Sequence, residues 1–258
     1  MLLEAKNLTA GYRRPVVRGA SLALGAGTVT ALLGPNGCGK STLLRALSGN
    51  GRVFGGSVRV LGQDCLALPA RRRARCLALL PQRTGLLPGL TAREVIAMGR
   101  YAYSGPFGGP APGDAERVEQ AARALGVQDL LDADCAALSE GQRQLVHLGR
   151  VVAQNAPVLL LDEPNSALDY THTHRLFAAL RRWVQGGQRA ALVVLHDPAL
   201  ALRYADRLLL MQDGALCGSF CPGGGPAAAQ AALRGLYPGL CVVPGPDGAL
   251  FCAPGQGA

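Results

Sequence analysis

The segment GPNGCGKST, residues 34–42, restricts the fold of this chain more than any other stretch. It fits the pattern G-x-x-x-x-G-K-[ST], with Gly34 and Gly39 as the outer glycines, followed by Lys40 and Ser41. The preceding TVTALL has the β-branched and apolar composition of a buried strand, and the following STLLRALSG carries leucines at helical spacing. The sequence therefore predicts a strand, a glycine-rich loop and a helix in direct succession.

Such a loop is suited to hold the phosphates of a nucleotide, because its backbone N–H groups and the positive end of the following helix form an anion cradle. Lys40 is then expected to reach the β- and γ-phosphates, and Ser41 to ligate Mg²⁺. Only Lys6 and Lys40 are lysines among the 26 basic residues, and a compact ammonium fits between phosphates where a guanidinium would not. The alternative, a turn that only joins strand to helix, is disfavoured by the intact motif. The predicted nucleotide-binding residues of the loop are Gly34, Pro35, Asn36, Gly37, Cys38, Gly39, Lys40, Ser41 and Thr42.

A second group of candidate residues stands in VLLLDEP, where an apolar strand pattern from Val158 to Leu161 ends in Asp162 and Glu163. Open α/β sheets bind their ligands at the carboxyl ends of their strands. We expect Asp162 to hold Mg²⁺ through water and Glu163 to orient or deprotonate an attacking water. Two surface acids after a strand are the alternative, which the immediate turn at Pro164 makes less favourable.

His196 follows another buried-strand pattern, ALVVL, and precedes Asp197 and Pro198, which suit the start of a helix. A single histidine is more often structural than functional. Its place at a strand end, like that of Glu163, favours a functional role here.

Composition limits the domain organisation, the state of the cysteines and the classes of partner that this chain can have. With 258 residues, 49% of them hydrophobic, the chain can bury a large core as one domain. No apolar run approaches the roughly 20 residues that a membrane-spanning helix needs, and the start of the chain lacks a targeting pattern. The eight cysteines form no C-x-x-C pair, so free thiols are expected. The net charge of +9 permits nucleic acid or anionic lipid as a partner but selects neither.

The five residues LSEGQ, Leu138–Gln142, resemble the signature motif of the ATP-binding-cassette (ABC) ATPases, and they precede LLLDEP as that family requires. Further landmarks of the family stand before and after this segment, in the order that the family shows. Tyr12 resembles the aromatic that stacks on adenine, and Gln82 resembles the Q-loop glutamine. Ser166–Asp169 (SALD) resembles the D-loop, and His196 resembles the switch histidine.

This resemblance implies an α/β fold, a P-loop NTPase ABC ATPase domain with a mixed sheet core, an antiparallel β subdomain and a helical subdomain. The ATPase domain is expected over residues 1–220, with the helical subdomain at about 83–155, and residues 221–258 form a short C-terminal extension. The resemblance also implies ATP and Mg²⁺ as cofactors and a homodimer. In it, each ATP lies between the P-loop of one copy and the signature motif of the other.

The resemblance assigns roles to individual residues. Besides the P-loop, the expected ATP contacts are Tyr12, Ser139, Gly141 and Gln142. The expected metal-binding residues are Ser41, Gln82 and Asp162, and the expected catalytic residues are Glu163, His196, Lys40 and Gln82.

Two residues depart from the common pattern. Glu140 stands where the family most often has glycine, and we expect its side chain to face outward because a carboxylate would repel a γ-phosphate. Cys38 lies inside the loop and is expected to be a small filler. The alternative for Cys38 is a thiol whose pKa is lowered by the helix N-terminus.

The helical subdomain indicates the type of cassette. A predicted helix over Thr91–Met98 is followed by the loop GRYAYSGPFGGPAPG and by a second amphipathic helix capped by Asp114. This loop and HDPALALRYADRLLLMQDG resemble cassettes of importers for iron–siderophore complexes, haem and cobalamin. The resemblance implies two membrane permease subunits on separate chains, an extracytoplasmic substrate-binding protein as an indirect partner, and a peripheral location at the cytoplasmic face of the cell membrane.

Two alternatives remain open: an ABC exporter ATPase subunit, and a soluble ABC ATPase that acts on nucleic acid or the ribosome. No nucleic-acid partner is expected, because the chain has neither tandem cassettes nor a long coiled-coil insertion. At the C-terminus, CPGGGPAAAQ is predicted as a connector, ALRGLY as a short helix, and CVVPGPDGALFC as a hairpin that turns at Pro246, Asp247 and Gly248. The basic run Arg71–Arg75 is predicted as a solvated helix face.

Overall fold

A computed structural model describes residues 1–82, 84–85, 87–105, 109–245 and 248–255 of the chain. Two of the predicted hairpin turn residues, Pro246 and Asp247, lie outside the described residues. The same holds for residues 106–108 of the loop in the helical subdomain.

The central sheet has six strands in the order β10-β9-β3-β8-β7-β6. Its strands are β3 (Thr28–Leu33), β6 (Leu77–Leu80), β7 (Val158–Asp162), β8 (Ala190–Val194), β9 (Arg207–Gln212) and β10 (Ala215–Phe220). All neighbours pair in parallel except β9 and β10, so the sheet is mixed. Every residue of β7 and β8 is buried, as expected for parallel strands covered on both faces.

The strand register brings the predicted site residues to one edge of this sheet. Asp162 of β7 pairs with Val194 of β8, and Val194 also pairs with Leu32 of β3. The segments that follow these three strands therefore emerge side by side. They are the P-loop, the turn that begins at Glu163, and the segment that carries His196.

A second, antiparallel sheet packs beside the first, with the order β2-β1-β4-β5. Its strands are β1 (Leu3–Gly11), β2 (Pro15–Leu24), β4 (Arg52–Val60) and β5 (Gln63–Asp64). Helix α1 (Lys40–Leu47) contributes Leu43, Leu44 and Leu47 to a core that it shares with both sheets. The P-loop helix is thus fixed between two layers, and the predicted antiparallel subdomain is confirmed.

Helices fill the region between β6 and β7, as predicted for the helical subdomain. They are α3 (Ala92–Ala97), α4 (Asp114–Leu125) and α5 (Glu140–Gln154), whereas the short helix α2 (Ala70–Cys76) precedes β6. Helix α5 packs against both α3 and α4. Gly149 permits this close approach, because a Cβ there would lie 3.0 Å from the side chain of Ile96. The predicted basic helix face of Arg71–Arg75 falls within α2.

Two helix starts differ in detail from the predictions. Thr91 is the N-cap of α3 and forms a capping box with Glu94, and a short 3₁₀ turn from Met98 to Arg100 follows the helix. Asp114 was predicted as a cap but is the first helical residue. Its buried carboxylate accepts hydrogen bonds from Arg100 Nε (2.8 Å) and the Ala111 backbone N–H (2.7 Å), so it serves the subdomain core instead.

The remaining elements are α6 (Tyr170–Gln185), α7 (Pro198–Tyr204), α8 (Pro226–Leu233), β11 (Leu240–Pro244) and β12 (Leu250–Pro254). Asp197 caps α7, and β11 pairs with β12, so the predicted helix start and hairpin are confirmed. The predicted connector and the helix over ALRGLY are wrong, because α8 begins inside the connector and ends at Leu233. Proline at the first helical position and the alanines after it favour a helix there.

Within the described ranges, no helix combines the length and the apolar character that crossing a membrane requires.

Candidate functional site: a nucleotide site at the strand ends of the central sheet

The P-loop has a backbone shape that depends on its glycines. Gly37 and Gly39 adopt positive φ angles of 78° and 111°, which disfavour residues with a side chain. Gly34 approaches the backbone of β9 closely, since a Cβ at this position would lie 2.2 Å from the carbonyl oxygen of Met211. The motif glycines are thus required by conformation and by packing, and the loop opens directly into α1.

Lys40, the first residue of α1, is 95% buried, and its ammonium lies across the loop. Its Nζ donates hydrogen bonds to the carbonyl oxygens of Gly34 (2.7 Å) and Pro35 (2.9 Å). These two bonds use two of the three N–H groups of the ammonium. The positive charge is therefore fixed at the place where the loop is expected to meet phosphate oxygens.

Asp162 lies beneath the loop with 3% of its surface exposed. Burial raises the pKa of this carboxyl, while a hydrogen bond from Ser41 opposes the rise. Its Oδ1 atom is fully buried and has no hydrogen-bond partner among the residues that the structure describes. A buried carboxylate oxygen without a partner, next to a serine hydroxyl, is a donor set that Mg²⁺ prefers. Ser41 and Asp162 therefore fit the metal that the sequence predicts.

Glu163 stands at the centre of a cluster formed by three strand ends. Its Oε1 contacts His196 Nε2, and its Oε2 accepts a hydrogen bond from Gln82 Nε2 at 3.0 Å. Glu163 has a positive φ of 50°, which costs energy for a residue with a side chain and is common at functional sites. Its backbone N–H is held by the carbonyl oxygen of Val194 in β8 (3.3 Å). The structure thus brings together three residues that were predicted separately. The predicted metal-binding residue Gln82 is directed to Glu163.

Tyr12 follows directly after β1, and the residue is 56% exposed, as an aromatic residue that stacks on a base must be. Its hydroxyl accepts a hydrogen bond from Arg45 Nη1 at 2.7 Å. Arg45 belongs to α1, and its charge also influences the pKa of Asp162. The sequence reasoning missed Arg45. Its place five residues after Lys40 on the same helix was the only available signal.

The signature segment lies at the N-terminus of α5. Ser139 is the N-cap, and its Oγ accepts a hydrogen bond from the backbone N–H of Gln142 (3.2 Å). The Gln142 side chain accepts one in return from the backbone N–H of Ser139 (3.0 Å), which completes a capping box. The positive end of the helix dipole is thus exposed with an ordered serine hydroxyl in front of it.

Gly141 has a packing role that the sequence did not reveal. A Cβ at Gly141 would lie 2.9 Å from the carbonyl oxygen of Ala167 in the predicted D-loop. Gln144, a second missed residue, donates a hydrogen bond to the carbonyl oxygen of Pro164 (3.2 Å). The start of α5 is therefore attached to the turn that begins at Glu163. Glu140 is exposed, and its direction away from the γ-phosphate stays a prediction.

Cys38 is buried against the loop backbone, and burial raises the pKa of its thiol. The nearby charge of Lys40 opposes this rise without reversing it. The alternative of a lowered thiol pKa is therefore wrong, and the filler role predicted for Cys38 agrees with its burial.

The site combines a phosphate-binding loop between a strand and a helix with a buried aspartate beside the serine of that loop. A glutamate follows directly after this aspartate. These features define a P-loop nucleoside triphosphatase. The family model described as "ABC transporter" matches residues 17–166, which is more than half of the chain. The protein therefore belongs to the ABC transporter family, and the family resemblance noted from the motifs is confirmed.

Curated relatives support the same assignment. The chain is 43% identical to the hemin import ATP-binding protein HmuV of Pseudomonas putida, over 86% of each protein. It is 40% identical to the cobalamin import ATP-binding protein BtuD of Halobacterium salinarum, over 73% of this chain and 47% of that protein. These names agree with the importer type that the helical subdomain indicated.

Solved structures confirm the fold. An ATP-binding subunit of an ABC transporter superposes with a TM-score of 0.78 at 26% identity, covering 91% of this chain and 95% of that one. A dimeric ATP-binding cassette with bound ADP and phosphate superposes with a TM-score of 0.77 at 23% identity, covering 85% and 98% of the two chains. The predicted α/β cassette fold is thereby confirmed.

Proposed function

We propose that this protein is the ATP-hydrolysing subunit of an ABC importer. It acts as a homodimer whose closure around ATP is passed to two separate membrane permease subunits. The observation that carries the proposal is the convergence of Gln82, Glu163 and His196 beside the P-loop. Residues 1–220 form the ATPase domain in this proposal, with the helical subdomain at about 83–155.

Glu163 is the general base, or the residue that orients water, in the proposed reaction ATP + H₂O → ADP + phosphate. Both of its carboxylate oxygens are held, one by His196 and the other by Gln82, which fixes the plane of the carboxylate. Each oxygen keeps a lone pair that can accept a hydrogen bond from water. A carboxylate held in this way aligns a water for attack on the γ-phosphate, and His196 stabilises the charge that develops there.

The phosphates lie in the P-loop, where Lys40 exchanges its bonds to carbonyl oxygens for bonds to β- and γ-phosphate oxygens. Ser41 and Asp162 hold Mg²⁺, which neutralises phosphate charge when it is bound. In this proposal Gln82 also reaches the same metal. Tyr12 stacks on the adenine base.

The second half of each ATP site comes from another copy of the chain. Ser139 and the N-terminus of α5 offer a hydroxyl, backbone N–H groups and a positive dipole end to the γ-phosphate. In this proposal Ser139, Gly141 and Gln142 contact the ATP of the partner, with Gly141 also keeping α5 close to the D-loop.

The permease subunits dock on the helical subdomain, at the cytoplasmic face of the cell membrane. A largely apolar groove between α3 and α4 supports this part of the proposal, with Leu90, Ala97, Met98 and Val118 in its wall. Tyr101 at the rim of the groove is 67% exposed. The cargo is a metal chelate, either an iron–siderophore complex, haem or cobalamin. The names of two relatives, which describe the import of hemin and of cobalamin, support this class of cargo.

The central test is Glu163→Gln with ATP and Mg²⁺. We expect steady-state hydrolysis to fall by at least about 100-fold, because the carboxylate is replaced by an amide of the same shape. ATP binding should persist, so that size-exclusion chromatography shows a dimer with trapped ATP. Glu116→Gln, which changes an exposed carboxylate on α4, is the matched control and should hydrolyse ATP normally. Turnover of Glu163→Gln near that of the control would remove the proposed role of Glu163.

Purification from detergent extract tests the transport part. Two permease subunits and a substrate-binding protein should accompany the chain. Reconstituted with them in liposomes, it should import hemin or cobalamin in an ATP-dependent manner. Recovery with ribosomes or DNA, or with a permease that exports its cargo, would contradict the importer assignment.

A further inference from the structure

The C-terminal extension packs against the segment that carries His196. Leu233 of α8 and Leu250 of β12 are buried in the same core cluster as Leu195 and Leu200, which lie on either side of His196. The β12 strand also lies directly on α7. The extension follows the part of the chain that the family model matches. It is therefore built onto the catalytic edge of the cassette.

The segment that carries His196 is short and is held at both ends. It consists of residues 195–197, between β8 and α7. On one side, the backbone N–H of Leu195 donates to the carbonyl oxygen of Leu32 (3.2 Å). On the other side, the side chain of Asp197 accepts a hydrogen bond from the backbone N–H of Ala199 (2.8 Å) and so caps α7. His196 stands between these two attachments.

Tyr237 of the extension supplies a third attachment, directly at His196. Its hydroxyl donates a hydrogen bond of 3.5 Å to the backbone carbonyl oxygen of His196. The ring also lines a groove together with Asp197 and Pro198. Burial and the adjacent Asp197 raise the pKa of Tyr237 to about 12, so the phenol stays a neutral donor at neutral pH.

The backbone of Tyr237 is itself fixed. Its N–H donates to the carbonyl oxygen of Leu233 at the end of α8 (2.9 Å), and its carbonyl oxygen accepts from Leu240 N–H at the start of β11 (3.2 Å). The side chain of Gln230 bridges the same two elements, with bonds to the backbone of Leu240 and Val242. The phenol therefore comes from a rigid unit and not from a free tail.

We propose that Tyr237 is a positioning residue for ATP hydrolysis, which holds the backbone of His196 so that its imidazole meets Glu163. This inference rests on the proposed role of His196. Tyr237 touches no reacting atom in this account, since it acts through the main chain of its neighbour. A bond of 3.5 Å is at the long limit of hydrogen bonding, so its loss should lower the rate and not abolish it.

The test is Tyr237→Phe in the full-length protein, since phenylalanine keeps the ring and removes only the hydroxyl. We expect kcat for ATP hydrolysis to fall by about three-fold, with the KM for ATP and the melting temperature unchanged. Hydrogen–deuterium exchange provides a second measurement, and it should show faster exchange in the peptide that contains residues 195–197.

Tyr204→Phe is the matched control. Its hydroxyl contacts His174 Nδ1 at 2.6 Å, and Tyr204 is the last residue of α7. This variant should lower the melting temperature while kcat stays at the wild-type value. A merely structural role for Tyr237 would make the two variants behave alike.

His196→Ala, made alone and together with Tyr237→Phe, separates the two levels of the proposal. We expect His196→Ala to reduce hydrolysis at least about 100-fold, with no further loss in the double variant. If His196→Ala hydrolyses ATP normally, the proposed function of His196 fails and this inference fails with it. If His196→Ala is inactive while Tyr237→Phe matches wild type, or loses activity only in proportion to stability, the role of Tyr237 alone is overturned.

Discussion

The two halves of the proposed ATP site are built in different ways. On the P-loop side, Lys40 and Asp162 are buried and held by the backbone and by Ser41. On the signature side, Ser139 and Glu140 are exposed, and the polar groups of Ser139 and Gln142 satisfy each other in a capping box. One half is shaped by the core of its own chain, whereas the other is a helix tip that faces solvent.

This difference indicates what each half requires. In the proposed function, Lys40 binds phosphate oxygens and Asp162 binds the metal, so we expect the buried half to bind a nucleotide by itself. We expect the exposed half to contribute only when a second copy presents a γ-phosphate to it. Substitutions on the two sides should therefore separate ATP binding from ATP hydrolysis.

Among the substitutions that compare the two halves, Lys40→Ala has the largest expected effect. Removing the ammonium takes away charge-assisted hydrogen bonds to the phosphates, so the affinity for ATP should fall by about 100-fold. Titration calorimetry with ATP and Mg²⁺ measures this. Lys6→Ala, which removes an exposed lysine on β1, is the control and should bind ATP normally. An affinity of Lys40→Ala equal to that of the control would show that the buried half is not the phosphate site.

Ser139→Ala changes the exposed half, and we expect an intermediate effect on ATP hydrolysis. We expect ATP hydrolysis to fall by about ten-fold or more while ATP binding to the monomer stays the same. The helix cap is lost as well, which costs about 1 kcal/mol of stability. Steady-state hydrolysis, ATP titration and thermal denaturation together measure these three quantities.

Thr91→Ala is the matched control for this variant, because Thr91 caps α3 with the same type of capping box. It should lose a similar amount of stability and keep its hydrolysis rate. If Ser139→Ala and Thr91→Ala lose the same small fraction of activity, Ser139 acts only as a helix cap. The proposed role of the exposed half in ATP hydrolysis would then be contradicted.

Most of the proposed site at the strand ends of the central sheet could be predicted from the sequence, because the sequence patterns that indicate it are local. The P-loop pattern, the apolar runs of β7 and β8, and the polar residues that follow them are readable in windows of a few residues. Parallel strands then place their carboxyl ends at one edge, so the meeting of Glu163 and His196 follows from topology.

Features that depend on distant partners could not be predicted in the same way. Asp114 looks like a helix cap, but Arg100 draws its carboxylate into the subdomain core. A helix N-terminus lowers the pKa of an exposed thiol. Burial of Cys38 raises its pKa instead, and this burial depends on the tertiary structure. The contact between Tyr237 and His196 joins residues 41 positions apart in sequence and left no local signal.

The smallest expected effect is that of Glu140→Gly, and it tests the exposed half most finely. Glu140 is the first residue of α5, where a negative charge near the helix N-terminus stabilises by about 0.3–1 kcal/mol, so stability should fall slightly. The side chain is exposed, and we expect it to point away from the γ-phosphate, so kcat for ATP hydrolysis should change by less than about three-fold. Steady-state kinetics and thermal denaturation measure both quantities, and Glu116→Gly in the first turn of α4 gives the stability loss expected when glutamate is replaced by glycine at another helix N-terminus. A change of ten-fold or more in kcat would mean that Glu140 contacts the nucleotide across the dimer, and the exposed half would then be more than a dipole with a serine.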